Sequence, residues 1–219
     1  GAAGIQAIST ALSTAKHLPQ GFKLHLESND FGPAGAKTLA ALITAENLPT
    51  GFHLGISQNN IGNAGLQEIV TALCAAKNLP TGFRLNLSEN DIGDAAAKPL
   101  TDLLTAENLP IGFHLNIRGN NIGNKALRAI ATALCAAKQL PQDFYLGLEG
   151  CNLTADESDA IATTLSSAKN LPIGFHLDIS RNNIGKEGIQ RIADALCADD
   201  HHLPRYFSLN IEYTDFGTE

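Results

Sequence analysis

Three histidines recur at one position of a regular pattern, and histidine is the side chain most often used for proton transfer and metal binding. His53, His114 and His176 each follow a phenylalanine directly, at spacings of 61 and 62 residues. A zinc site would need their ring nitrogens within about 3 to 4 Å of one another, because Zn–N bonds are close to 2.1 Å. Arg84 and Tyr145 hold the same position between them. We therefore expect no metal site and no cofactor.

Three of the four cysteines also share one position, in the apolar stretches that contain Cys74, Cys135 and Cys197. They stand two copies of the pattern apart, which corresponds to about 10 Å at the usual strand spacing. A disulfide needs Cα atoms within about 7 Å. The spacing predicts free thiols that are buried as small hydrophobic side chains, and hence a reducing, cytosolic location.

One acidic cluster could be taken for catalytic carboxylates. Asp156, Glu157 and Asp159 follow Thr154 at the predicted start of a helix, where acidic side chains complement the helix dipole. The sequence contains no GxSxG, no HExxH and no glycine-rich phosphate loop after a strand. We predict that the chain is not an enzyme.

The composition excludes several other classes. The 219 residues carry a formal charge of −7, which disfavours nucleic acid and anionic membrane surfaces as partners. No apolar run approaches the roughly 18 residues of a membrane span. The chain opens inside a copy of its own pattern, so we expect one domain over residues 1–219 that is a piece of a longer protein.

A repeat of 30 to 32 residues organises the chain into seven copies. Each copy reads LPxGFxLxLxxNxIG followed by an apolar-periodic stretch. The repeated phenylalanines are Phe22, Phe52, Phe83, Phe113, Phe144, Phe175 and Phe207. Apolar residues at every second position predict a short strand, and those at spacings of three and four predict a helix. Each copy is therefore a strand, a turn and a helix.

A polar residue also recurs inside this apolar pattern. Asn29, Asn59, Asn90, Asn120 and Asn182 share one position, which Cys151 and Thr214 fill in the other copies. Because a buried amide needs hydrogen-bond partners, we expect these side chains to bond turn backbone from copy to copy.

The motif LxLxxNxI, with cysteine in place of asparagine beside Leu146, Leu148 and Leu153, resembles a leucine-rich repeat. The alternation of TALCAAKNLP with LITAENLP is similar to the ribonuclease-inhibitor-like subfamily. The segment LPxGFxLxL resembles leucine-rich effectors of Legionella-type intracellular bacteria. The resemblance implies an α/β leucine-rich repeat solenoid, a horseshoe with a parallel sheet on its concave side and helices on its convex side. Strands about 4.8 Å apart and helices about 8 to 10 Å apart require the same curvature.

The outward strand positions are the ones that packing leaves free to vary. They carry four basic and five acidic side chains, so this face is close to neutral. Tyrosine and arginine often anchor interfaces. We expect partner contacts from Arg84, His114, Arg118, Tyr145, Glu149, His176, Asp178, Arg181 and Tyr213. Gly119, Gly147 and Gly150 are expected to leave room beside them.

These observations and the resemblance predict a module that binds another protein on the concave face. The resemblance adds a role as a secreted bacterial effector that acts on a host protein or on a sister effector. An alternative is the substrate-recognition domain of a larger enzyme such as a ubiquitin ligase. A third class, a metal-dependent hydrolase, would require a metal centre. The identity of the partner and the oligomeric state are not encoded in this pattern.

Overall fold

A computed structural model describes residues 2–137, 139–167, 171–198 and 203–214. Its seven strands are β1 Lys23–His25, β2 His53–Gly55, β3 Arg84–Asn86, β4 His114–Asn116, β5 Tyr145–Gly147, β6 His176–Asp178 and β7 Ser208–Asn210. Its α-helices are α1 Ala2–Ser13, α2 Gly32–Ile43, α3 Gly62–Ala75, α4 Ala97–Leu104, α5 Asn124–Ala136, α6 Ala155–Ser167 and α7 Gly185–Leu196. None of the helices in these ranges is long and apolar enough to cross a membrane.

The strands form one parallel sheet in chain order, β1 to β7. Equivalent residues of consecutive copies pair directly, as in Arg84 with His114 and His114 with Tyr145. A parallel strand pair needs a crossover connection, and each helix supplies it on the same side of the sheet. The structure confirms the predicted solenoid, in which the sheet is the concave layer and the helices are the convex layer.

A column of phenylalanine rings runs through the core beneath the strands. Phe52, Phe83, Phe113, Phe144 and Phe175 are fully buried, whereas Phe22 and Phe207 at the two ends are partly buried. Consecutive ring centroids lie 5.7 to 6.1 Å apart. This spacing suits offset aromatic contacts, so each phenylalanine packs against both neighbouring copies.

The asparagine column forms the predicted ladder between copies. Asn90 is fully buried, and its amide nitrogen donates to the carbonyls of Ile56, Leu87 and Ser88. Its amide oxygen accepts from the backbone N–H of Asn59 at 2.9 Å. Asn29 differs because it lies exposed in the first copy.

Cys151 interrupts this ladder. Its thiol is fully buried and donates to the carbonyl of Ile117 at 3.4 Å, the bond that an amide would make in other copies. Burial raises the pKa of this thiol to about 12, an effect that N–H groups of Asn120 and Gly119 partly offset. The sulfur therefore stays protonated and serves as a packing group.

The prediction for the other three cysteines is half right. All are free thiols, but Cys74 and Cys197 are exposed and Cys135 is only partly buried. Cys74 lies near the end of α3 and faces α4, which ends at Leu104 and has only 8 residues against 14 in α3. The shorter helix does not cover the last turn of α3. A surface groove remains there beside Cys74 and Asp102.

The alternation of the two kinds of copy has a physical cause that the pattern alone did not reveal. After α2 and α4, Asn47 and Asn108 reach back to the end of the preceding helix. The Asn108 amide donates to the carbonyls of Leu73 and Ala76 at 2.8 and 2.7 Å. These bonds satisfy carbonyls that a helix end leaves without partners.

Candidate partner-binding face

We define the concave face as the outward side chains of the seven strands and the turn residues that follow them. Successive side chains of a strand point to opposite faces of the sheet. Leu85 and Leu115 therefore point into the core, while Arg84 and His114 point outward. The turn position before the asparagine column has a positive φ in all seven copies, including Arg181 at 55°.

Three predicted charged residues form one ion-pair network. Arg118 Nε lies 3.4 Å and Arg181 Nε 2.9 Å from carboxylate oxygens of Glu149. The Glu149 side chain is 20% exposed, whereas the two arginine side chains are 48% and 56% exposed. Arg181 also lies over the ring of Tyr213, with Cζ 4.7 Å from the ring centre. The more buried acid thus holds two arginines that remain open to solvent.

A second group centres on Tyr145. Its ring is parallel to the imidazole of His114, with centroids 3.9 Å apart. Its hydroxyl donates to Asp178 Oδ2 at 3.3 Å, and the Asn210 amide donates to the same oxygen. Burial raises the pKa of Tyr145 to about 12, and the Asp178 carboxylate adds to the shift. Tyr145 is therefore a neutral donor fixed in one orientation.

The histidines of this face are not equivalent. Burial and, to a smaller extent, the charges of Arg84, His53 and His176 together lower the pKa of His114 to about 4. Burial likewise lowers the pKa of His53, aided by His25, Arg84 and Lys23. His114 is therefore neutral at physiological pH.

The nine predicted site residues do not form one cluster. Arg118, Glu149, Arg181 and Tyr213 meet in one network, and His114, Tyr145 and Asp178 meet in another. His176 lies at the edge of the second, its ring 6.1 Å from that of Tyr145. Arg84 stands apart and makes no ion pair within the described residues.

The predicted room beside the glycines is largely filled by the chain itself. A β-carbon at Gly147 would lie 2.9 Å from the Tyr145 ring, because that ring folds over the glycine. A β-carbon at Gly119 would lie 2.8 Å from Glu89 Cγ. These glycines make space for neighbouring side chains of the same face, so that prediction was wrong for Gly119 and Gly147.

The acidic cluster at the start of α6 has the structural role that its position predicted. Glu157 accepts a hydrogen bond from the backbone N–H of Thr154 at 2.8 Å, which is half of a capping box. Asp159 pairs with Arg191 on the next helix at 3.2 Å. In the ranges that the structure describes, no group of three or more His, Cys, Asp or Glu side chains could hold a metal ion.

Sequence reasoning missed two side chains next to this face, Asp143 and Tyr206. They lie before the repeated phenylalanine, where five copies have glycine. The sequence signal that could have identified them is the loss, in these two copies, of the glycine that the other five have at this position. With Tyr145, Gly174 and His176 they line a cleft at the start of the last strands.

Comparison with known families finds four matches to the Leucine Rich repeat model, at residues 23–40, 84–100, 114–131 and 176–193. Each matched segment begins at a strand, β1, β3, β4 or β6, and continues into the helix that follows. The search of curated proteins found no significant match.

Proposed function

We propose that the chain binds a partner protein across its concave face, because leucine-rich repeats, which its four matched segments resemble, generally mediate protein–protein interaction. One observation carries the proposal: Glu149 holds Arg118 and Arg181 in an exposed network that continues to Tyr213. Arginine and tyrosine dominate the energetics of many interfaces. Fixing them before binding reduces the entropy that binding would cost.

The frame supports the same role. These residues lie in the turns that directly follow β4 to β7, and the strands before those turns pack on the phenylalanine column. The Asn182 side chain also accepts from the backbone N–H of Leu153 at 3.0 Å, which ties the turn of one copy to that of the next. The concave face therefore presents a defined pattern of charge and aromatic surface.

The resemblance of the repeat to leucine-rich bacterial effectors supports a more specific proposal. In it, the partner is a protein of the host cytosol. An effector role predicts that the partner is captured from host lysate and not from bacterial lysate.

The test compares two triple variants as baits in capture experiments. Arg118→Ala, Arg181→Ala and Tyr213→Ala together remove exposed concave side chains. Lys37→Ala, Lys98→Ala and Arg128→Ala remove three exposed side chains of the convex helices. We expect a specific partner to be retained by the wild type and the convex triple and lost by the concave triple. Loss with the convex triple alone would overturn the concave assignment.

A further inference from the structure

The repeat position before the phenylalanine departs from glycine in only two copies. Gly21, Gly51, Gly82, Gly112 and Gly174 all have φ between 69° and 74°. Asp143 and Tyr206 take the same left-handed conformation, at φ 56° and 61°. A side chain is disfavoured there and glycine is not. The fold therefore does not explain these two side chains.

The two exceptions flank one glycine. A β-carbon on Gly174 would collide with the Asp143 carboxylate, so that carboxylate lies over the glycine backbone. Tyr206 follows in the next copy, with 79% of its surface exposed. Tyr145 and His176 complete the lining. The result is a cleft of about 340 Å³ in which the carboxylate covers the glycine and aromatic rings stand around it.

This lining has the chemistry of a cation site. Among the described residues, nothing pairs with or hydrogen-bonds to the Asp143 carboxylate. Aromatic faces attract cations, and a carboxylate binds a guanidinium through two parallel hydrogen bonds. The cleft volume of about 340 Å³ is ample for one long side chain.

We propose that this cleft binds an arginine side chain of the partner protein. The proposal rests on the proposed function and names the partner chemistry at one end of the concave face. Arginine fits better than lysine because its planar group stacks on aromatic rings while it pairs with a carboxylate. The Tyr145 ring is well suited to this contact, because His114 and Asp178 already hold it in place.

The experiment uses Nα-acetylarginine amide as the probe and needs no partner. Its binding is followed by NMR through the ring signals of His176 and Tyr206. We expect saturable shifts with this probe, weaker shifts with Nα-acetyllysine amide, and none with Nα-acetylcitrulline amide, which has nearly the same shape without the charge. Equal binding of the citrulline derivative would overturn the proposal.

Two variants restore the glycine that other copies use, so both are expected to fold. Asp143→Gly and Tyr206→Gly should each weaken arginine binding at least about fivefold. Asp91→Gly is the matched control, because Asp91 is an exposed acid at φ 56° outside the cleft. It should leave binding unchanged. Unchanged binding in both cleft variants would overturn the proposal.

The outcome is separable from that of the proposed function. A partner that is lost with the concave triple variant but bound normally by Asp143→Gly and Tyr206→Gly would refute the arginine site alone. If arginine binds to the cleft but the concave triple variant still binds the partner as the wild type does, the proposed function alone would be refuted.

Discussion

The backbone N–H of Asn59 donates to the side-chain oxygen of Asn90, 2.9 Å away in the next copy. The same oxygen also faces the N–H of Ile61 at 3.4 Å. One buried amide therefore supplies acceptors to its preceding copy and donors to three carbonyls. These bonds reach the preceding copy and the turn of Asn90 itself, so the contribution of the side chain to stability should depend on having a complete preceding copy.

Asn90→Ala should lower the free energy of unfolding by about 1 to 3 kcal/mol, because buried N–H and carbonyl groups lose their partners. Asn29→Ala should cost less, since Asn29 is exposed and its amide donates only to Leu26 and Glu27. Urea denaturation of both variants measures the difference. Equal midpoints would contradict a ladder that is shared between copies.

Cys151→Asn should stabilise the protein by about 1 kcal/mol. The carbonyl of Ile117 is already in place for an amide nitrogen, and Asn120 lies on the side from which the preceding copy would donate. Cys151→Ala is the control and should destabilise, because it leaves a cavity without restoring a hydrogen bond. A Cys151→Asn protein that unfolds at lower urea than the wild type would show that the site is shaped for sulfur.

Much of the frame could be predicted from sequence because each signal recurs in five to seven copies. Strand alternation, register and the asparagine bonds depend only on contacts between equivalent positions. The exposure of Cys74 depends instead on the length of the neighbouring α4, and the filled space at Gly147 depends on how the Tyr145 ring turns. The cleft around Gly174 needs two exceptions in copies that are not adjacent in sequence. The consensus of one copy contains no information about the helix length or the exceptional residues of another copy.

The four thiols should react with Ellman's reagent in the order of their exposure. Cys74 and Cys197 are exposed, Cys135 is partly buried and Cys151 is fully buried. We expect two thiols to react readily in the native protein and Cys151 to react only on unfolding. Partial burial of its side chain raises the pKa of Cys74, so its reaction should become faster as the pH is raised. Native labelling of Cys151, detected by peptide mass, would contradict its burial.

Stability should fall as the pH is lowered from about 6.5 to about 4. The pKa of His114 is lowered from 6.5 to about 4 in the folded protein, so in this window the unfolded chain binds a proton that the folded chain does not. His114→Phe retains an aromatic ring against Tyr145 and cannot titrate. We expect its loss of stability over this window to be smaller by about 1 to 2 kcal/mol, after allowance for partial exposure. Urea denaturation at pH 7, 5.5 and 4 is the measurement, and parallel pH profiles would contradict it.

Glu149 should matter more for partner binding than for folding. Glu149→Gln keeps the shape of the side chain but removes the charge that holds Arg118 and Arg181. Exposed ion pairs contribute at most about 1 kcal/mol each, so the melting temperature should change little. Binding should weaken about fivefold, because both arginines must then be ordered by the partner.

Glu212→Gln is the matched control, since Glu212 holds the same repeat position two copies later, and it should change affinity less than about twofold. Calorimetry with the captured partner compares the two variants. Equal effects would show that Glu149 contributes only general charge, and the concave network would then lose its role in presenting the arginines.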